Sequence, residues 1–227
     1  MKKYLVWDLP VRLFHWLLVL SIFGQWLTVE VLEDSIDIHF YLGYFTLGLI
    51  IFRLVWGVLG TKYARFSSFL TGPKAMLSYI SSIANKQHKP TTGHNPIGGL
   101  MLPAVLILVG LQAVSGLFIT DDIINEGPYY AGASESVKDW MQWLHHNLFN
   151  ILLGLIVVHL LAIFGYRFLL KHDLISPMFS GKKAVNQEEG IPHSRIWLAL
   201  IWMIVVAVFV YWLVEINPPV IEEDYYY

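Results

Sequence analysis

The sequence predicts an all-α membrane protein: a transmembrane four-helix bundle with a fifth transmembrane helix at its C-terminal end. Three observations carry that reading. Of 227 residues, 56% are hydrophobic and only 14% are charged, against roughly 25% charged in ordinary globular domains. Apolar stretches of spanning length lie at residues 13–29, 39–58, 98–119, 143–166 and 196–214. The charges between these stretches separate by sign into alternating connections. Cysteine is absent, which excludes disulfides, thiolate-held iron–sulfur clusters and covalently attached c-type haem. There is no P-loop, dinucleotide-binding glycine pattern or internal repeat, and no nucleic-acid partner is expected.

The first span follows Lys2, Lys3 and Arg12 and runs into GQWLTVEVLED without a small-x-small cleavage site, so it reads as a retained helix and not a removable signal. The second is followed by a connection, residues 59–97, that is too long for a bare turn. Within it Pro73 opens PKAMLSYISSIANK, where Met76, Leu77, Ile80, Ile83 and Ala84 recur at helical spacing. A short helix lying on the membrane surface is predicted there. The third span is entered through GHNPIGG, and the fourth contains LHHNLFNILLGLIVVH. The fifth leads into PPVIEEDYYY, an acidic and extended tail. Trp16, Trp26, Trp56, Trp140, Trp143, Tyr211 and Trp212 cluster toward span ends, as in an interfacial aromatic belt. The chain thus divides into a four-helix transmembrane domain, residues 1–180, and a linker, fifth helix and acidic outer tail, residues 181–227.

Sidedness follows from the connections. One side receives the N-terminus and the segments 59–97 and 167–195, with Lys62, Arg65, Lys74, Lys86, Lys89, Arg167, Lys171, Lys182, Lys183 and Arg195. The other receives Glu30, Glu33, Asp34, Asp37, Asp121, Asp122, Glu126, Glu135, Asp139, Glu215, Glu222, Glu223 and Asp224, with Lys138 as its only base. The positive-inside rule then predicts a multi-pass membrane protein, its N-terminus cytoplasmic and its C-terminus facing outward.

Ionisable groups inside spans are costly and usually functional. Of nine histidines, His15, His39, His145, His146 and His159 lie in or at the ends of spans. Fourteen residues separate His145 from His159, which returns the side chain to within about 40° of its starting direction some 21 Å further along the helix. His15 sits near the inner end of the first span and His39 opens the second from the outer side. Two pairs at matched depths result, His15 with His159 inside and His39 with His145 outside. Each pair offers two neutral imidazoles from different helices, the ligand set of a six-coordinate b-type haem. Two non-covalent haem b groups are therefore expected, making the four-helix bundle a haem-binding one. The competing readings are a histidine proton relay, as in a haem-free proton-coupled transporter, and incidental packing. His146 points away from the shared face and reads as a polar helix-end residue. His88, His172 and His193 read as solvated surface.

Arg53 lies fourteen residues after His39, on the same face but at the inner end, where haem propionates would lie, and Arg12 is a second partner for them. Gly43, one turn after His39, would let a flat macrocycle approach the backbone. Gly110 and Gly116 would do the same or serve helix packing. Beside the inner pair, His94 or Asn95 is a candidate for hydrogen bonding a quinone carbonyl. Asn95 followed by Pro96 also reads as a helix cap.

In RLFHW at 12–16, IHFYLGY at 38–44, GHNPIGG at 93–99 and the LHHNLFN segment with its two histidines, the chain resembles the bacterial cytochrome b561 and nickel-hydrogenase b-type cytochrome family over residues 5–180. The resemblance implies a four-helix, two-haem, quinone-linked electron carrier with His15, His39, His145 and His159 as iron ligands. The fifth helix and the tail depart from the family's simplest pattern. The implied function is electron transfer across the inner membrane between the quinone pool and a periplasmic redox protein, a c-type cytochrome in the favoured reading. The alternative is a membrane anchor delivering electrons to quinone from a hydrogenase-like or other dehydrogenase subunit.

Overall fold

The computed structural model describes residues 2–32, 35–87, 90–121 and 125–219. The acidic tail from 220, and Glu33, Asp34, His88, Lys89 and Asp122 of the sequence reading, lie outside the described residues. The chain runs as β1 (Lys3–Leu5), α1 (Leu9–Glu30), α2 (Ile36–Leu59), α3 (Pro73–Ala84), α4 (Pro96–Ser115), α5 (Glu135–Phe168), α6 (Ile175–Ser180), β2 (Lys182–Ala184) and α7 (Ile196–Tyr211). A 3-10 turn, Gly116–Phe118, continues α4, and a π-helical turn, Trp212–Ile216, continues α7. Five of these helices, α1, α2, α4, α5 and α7, are long and apolar enough to cross a membrane.

Each expected span is present, and the ends are set by local chemistry. Asp8 caps α1, its carboxylate accepting from the Val11 N–H at 2.7 Å with Pro10 in the first turn. Asn95 caps α4 in the same way, accepting from the Gly98 N–H at 2.7 Å. Pro103 sits inside α4 without ending it, as neighbouring helices allow in a membrane. The helix expected within the connection 59–97 is present as α3. With 34 residues α5 measures about 51 Å and starts two turns before its apolar stretch. Those turns, ESVKDWMQ, are mostly exposed and polar, so hydropathy alone does not register them.

One feature has no periodic signal in the sequence. Lys3–Leu5 pairs antiparallel with Lys182–Ala184, and the Val6 and Trp7 N–H groups both donate to the Gly181 carbonyl at 2.8 and 3.0 Å. Gly181 has φ 76°, a left-handed turn that a side chain would strain. Three-residue strands are too short for alternation to show.

Two apolar clusters hold the bundle. Phe14, Leu18, Leu49, Ile50, Leu106, Val109 and Leu152 join α1, α2, α4 and α5. Val6, Trp7, Val11, Phe52 and Trp56 pack with Ile191, Ala199, Val206 and Val210, so the described part of segment 181–227 shares a core with α1 and α2. Where α7 crosses α2, a β-carbon on Gly48 would stand 3.7 Å from Val210, close packing through a small residue. Most other apolar side chains of α7 face outward, Trp197 at 81% exposure and Ile204 at 65%, as a lipid-facing surface requires. Polar contacts add to this in α1 and α2. The Ser21 and Thr46 hydroxyls are 2.6 Å apart, and Gln25 Nε2 donates to Thr46 Oγ1 at 2.9 Å.

Candidate functional site

His39 projects from the first turn of α2 toward α5, and His145 projects back toward it. Their ring centroids are 6.3 Å apart with planes at 73°. Each Nδ1 is held by backbone. His39 Nδ1 lies 3.1 Å from the Gln25 carbonyl oxygen and 3.4 Å from Thr28 Oγ1. His145 Nδ1 lies 3.0 Å from the Gln112 carbonyl oxygen and 3.1 Å from Ser115 Oγ. A carbonyl only accepts, so the proton sits on each Nδ1 and each Nε2 keeps its lone pair. That is the tautomer a metal-ligating histidine takes when its second nitrogen donates to a carbonyl.

The spacing agrees with this chemistry. A metal–imidazole bond of about 2 Å puts a ring centroid about 3 Å from the metal, so two opposed rings on one metal have centroids about 6 Å apart. Between the two rings opens a narrow cleft lined by Gly43, Tyr44, Ala113, Gly116 and Ile119. A β-carbon on Gly43 would have only Gln25 Oε1 near it, at 4.0 Å, whereas one on Gly116 would stand 3.2 Å from the His145 ring. Both glycines keep the cleft open. Gly110 instead packs toward Ile50, whose side chain would stand 3.6 Å from a β-carbon added there, which is the helix-packing role. His146 is exposed and its Nδ1 lies 2.7 Å from the Gln142 carbonyl of its own helix; it is not at a helix end as expected, because α5 starts three turns earlier, at Glu135.

The inner pair is built differently. His15 and His159 are close enough to interact electrostatically, and the His15 Nδ1 is buried without a hydrogen-bond partner among the described residues. Trp16 packs edge-on to His15 at 4.9 Å and stacks on Phe179 of α6 at 4.5 Å, so α6 covers this end of the bundle. Arg12 donates to the Phe179 carbonyl, and its Nε is buried and unpartnered among the described residues. Arg53 is 1% exposed. Its Nη2 donates to the Ala64 carbonyl at 3.0 Å, the Phe66 ring lies 5.0 Å from the guanidinium carbon, and Nη1 is likewise buried and unpartnered. Unsatisfied buried donors are uncommon in native proteins. Arg12 and Arg53 each keep a buried N–H short of an acceptor, which suits the carboxylates of a haem, and His15 and His159 offer the imidazoles that would take its iron. Among the described residues no three or more His, Cys, Asp or Glu side chains group to hold a bare metal ion.

His94 precedes α4 with its ring between Trp7, at 4.7 Å, and Phe69, at 4.3 Å. Its Nδ1 is buried without a partner among the described residues. Burial first, then the positive charges of Arg53 and Lys183, push its pKa down to about 3, so the imidazole is neutral at pH 7. Asn95 combines its cap with a second bond, Nδ2 donating to the Tyr166 hydroxyl at 3.0 Å, and that hydroxyl lies 3.0 Å from the Tyr79 hydroxyl. This chain of bonds ties α3, α4 and α5 together.

Sequence reasoning missed Asp8 as a hub. Besides capping α1 it accepts from Trp56 Nε1 at 3.2 Å and from the Thr61 hydroxyl, and it is 1% exposed. The Asp-Leu-Pro order is a helix-start signal that could have given the cap, but nothing in it gives partners some fifty residues away. The backbone and hydroxyl groups that orient His39 and His145 also went unseen. Their only trace is the one-turn pairing of polar residues in apolar spans, Gln25 with Thr28 and Gln112 with Ser115.

A family model described as prokaryotic cytochrome b561 matches residues 6–181. No curated protein and no solved structure matches the chain.

Proposed function

The chain belongs to the prokaryotic cytochrome b561 family, b-type haem cytochromes of electron transfer, and we propose that it binds two b haems and moves electrons between the quinone pool and a periplasmic redox protein. In this reading His39 and His145 hold the outer haem, with Gly43 opening its cleft. His15 and His159 hold the inner one, with Arg12 and Arg53 beside its propionates. The observation that carries the proposal is the outer ring pair, 6.3 Å between centroids with both Nδ1 atoms on backbone carbonyls. A b haem held there supplies reversible one-electron chemistry at iron.

The chain's own groups do the rest. The Gln25 and Gln112 carbonyls fix the ligand tautomers and raise imidazole basicity. Arg53, buried and short of an acceptor, favours a carboxylate beside it. His94 and Asn95 sit at the inner end, where a neutral His94 offers an N–H to a quinone carbonyl. Asn95 braces that corner through its cap and Tyr166. The five spans and the basic connections set the orientation proposed here, N-terminus cytoplasmic and C-terminus periplasmic. A periplasmic c-type cytochrome is the partner proposed for the acidic outer side.

Quinol added to anaerobic membranes containing the protein is expected to reduce its haem absorption bands, with His94→Phe slowing the reduction about tenfold or more. Absence of quinol-driven reduction would remove the quinone from the proposal. Co-purification with a large dehydrogenase in place of a small c-type cytochrome would overturn the proposed partner.

A further inference from the structure

On the side of the membrane that receives the basic connections, the loop leaving α2 and the loop entering α7 line a second, open cavity, apart from the cleft between His39 and His145. Its walls come from two segments far apart in sequence. Lys62 and Arg65 stand on the loop leaving α2, and His193 and Arg195 on the loop entering α7. All four are exposed at the cavity. Arg195 has φ 50° and Nη1 donates to the Leu59 and Gly60 carbonyls at 3.2 and 3.5 Å, so its guanidinium is pinned across the end of α2.

The charge is not balanced locally. Among the described residues Lys62, Arg65 and Arg195 make no ion pair within 4.0 Å. Glu189 approaches Lys62 electrostatically, but its carboxylate is engaged by the Thr92 hydroxyl at 2.5 Å and the Asn186 N–H at 3.1 Å. An open concavity with three cations and a histidine suits a phosphate-bearing anion. Its position decides the source. Both bounding helices are candidate membrane spans that end at this level, and the α7 surface leading into the bilayer is apolar and exposed, with Trp197 at 81% and Ile201 at 58%. Basic pockets between transmembrane helices at the interface are sites for anionic headgroups, with acyl chains running down the helix surface.

We propose that this pocket binds the phosphate headgroup of an anionic phospholipid, which bridges the loop leaving α2 and the loop entering α7 while its acyl chains lie along the exposed Trp197 and Ile201 face of α7, fastening the fifth helix to the bundle. Lys62 lies over the Tyr63 ring at 5.2 Å, and neither the Lys62 nor the Arg65 side chain forms an ion pair among the described residues. Lys62→Gln with Arg65→Gln therefore removes charge from the pocket without breaking a salt bridge.

The full chain in nanodiscs of phosphatidylcholine is titrated with phosphatidylglycerol, reading thermal unfolding and, by native mass spectrometry, retained lipid. The wild type is expected to retain phosphatidylglycerol and unfold at higher temperature as it is added. The double variant is expected to need roughly thirty-fold more of it while matching the wild type in phosphatidylcholine alone. The charge-preserving pair Lys62→Arg with Arg65→Lys is expected to keep the lipid, and Arg65→Gln alone serves if the double variant does not fold. Equal retention by wild type and charge-removed variant overturns the proposal. So does the same stabilisation from inorganic phosphate without anionic lipid, which would make the pocket a free-phosphate site.

Discussion

Histidines 39 and 145 are restrained from behind: each ring is aimed by a carbonyl of a helix it does not belong to. The cost of ionisable groups in apolar spans makes all four proposed ligands legible in the sequence, together with their depths. The groups that aim them are illegible there, because which carbonyl faces a ring depends on how helices rotate against each other. Asp8 shows the same limit. Asp8→Ala is expected to destabilise the protein by about 3 kcal/mol, since it removes a helix cap and leaves the buried Trp56 and Thr61 donors unpaired; denaturant unfolding in detergent measures this. His94 gives a pH signature. Its pKa is about 3 in the folded chain and about 6.5 when unfolded, so below pH 6.5 the unfolded chain gains a proton that the native one refuses. The stability contribution is therefore complete above that pH and falls as pH drops toward 3. His94→Gln is expected to flatten this part of the stability–pH curve, and an unchanged slope between about pH 7 and 4.5 would contradict it.

The spans and the α3 helix follow from apolar length and helical spacing, both local properties. The polar start of α5 and the β1–β2 ribbon do not, because one is a helix outside any apolar window and the other is two strands of three residues that meet across nearly the whole chain. Close approaches between elements were also hidden. A β-carbon on Gly57 of α2 would collide with the Phe66 ring, and Phe66 lies against the Arg53 guanidinium. Gly57→Ala is expected to displace that ring and cost about 1–3 kcal/mol, read as a lowered thermal midpoint.

Across the whole molecule, the charge asymmetry of the connections gives an orientation that accessibility can test directly, because the chain has no cysteine of its own. Glu135 and Lys74 are exposed on opposite connections. In spheroplasts, Glu135→Cys is expected to react with a membrane-impermeant maleimide from outside, and Lys74→Cys only after permeabilisation. The reverse pattern would invert the proposed topology. The bundle then has a polar division of labour: histidine pairs at two depths in its interior, a basic rim at one end and an acidic one at the other.

The central claim is two histidine pairs, each holding one haem. A pyridine haemochrome assay on the purified, folded protein tests it most directly, applied to the wild type and to His15→Ala, His39→Ala, His145→Ala and His159→Ala. The expected result is about two b haems per chain, with each substitution losing one. Well-folded wild type without haem, or four variants that all keep the wild-type content, would contradict the account.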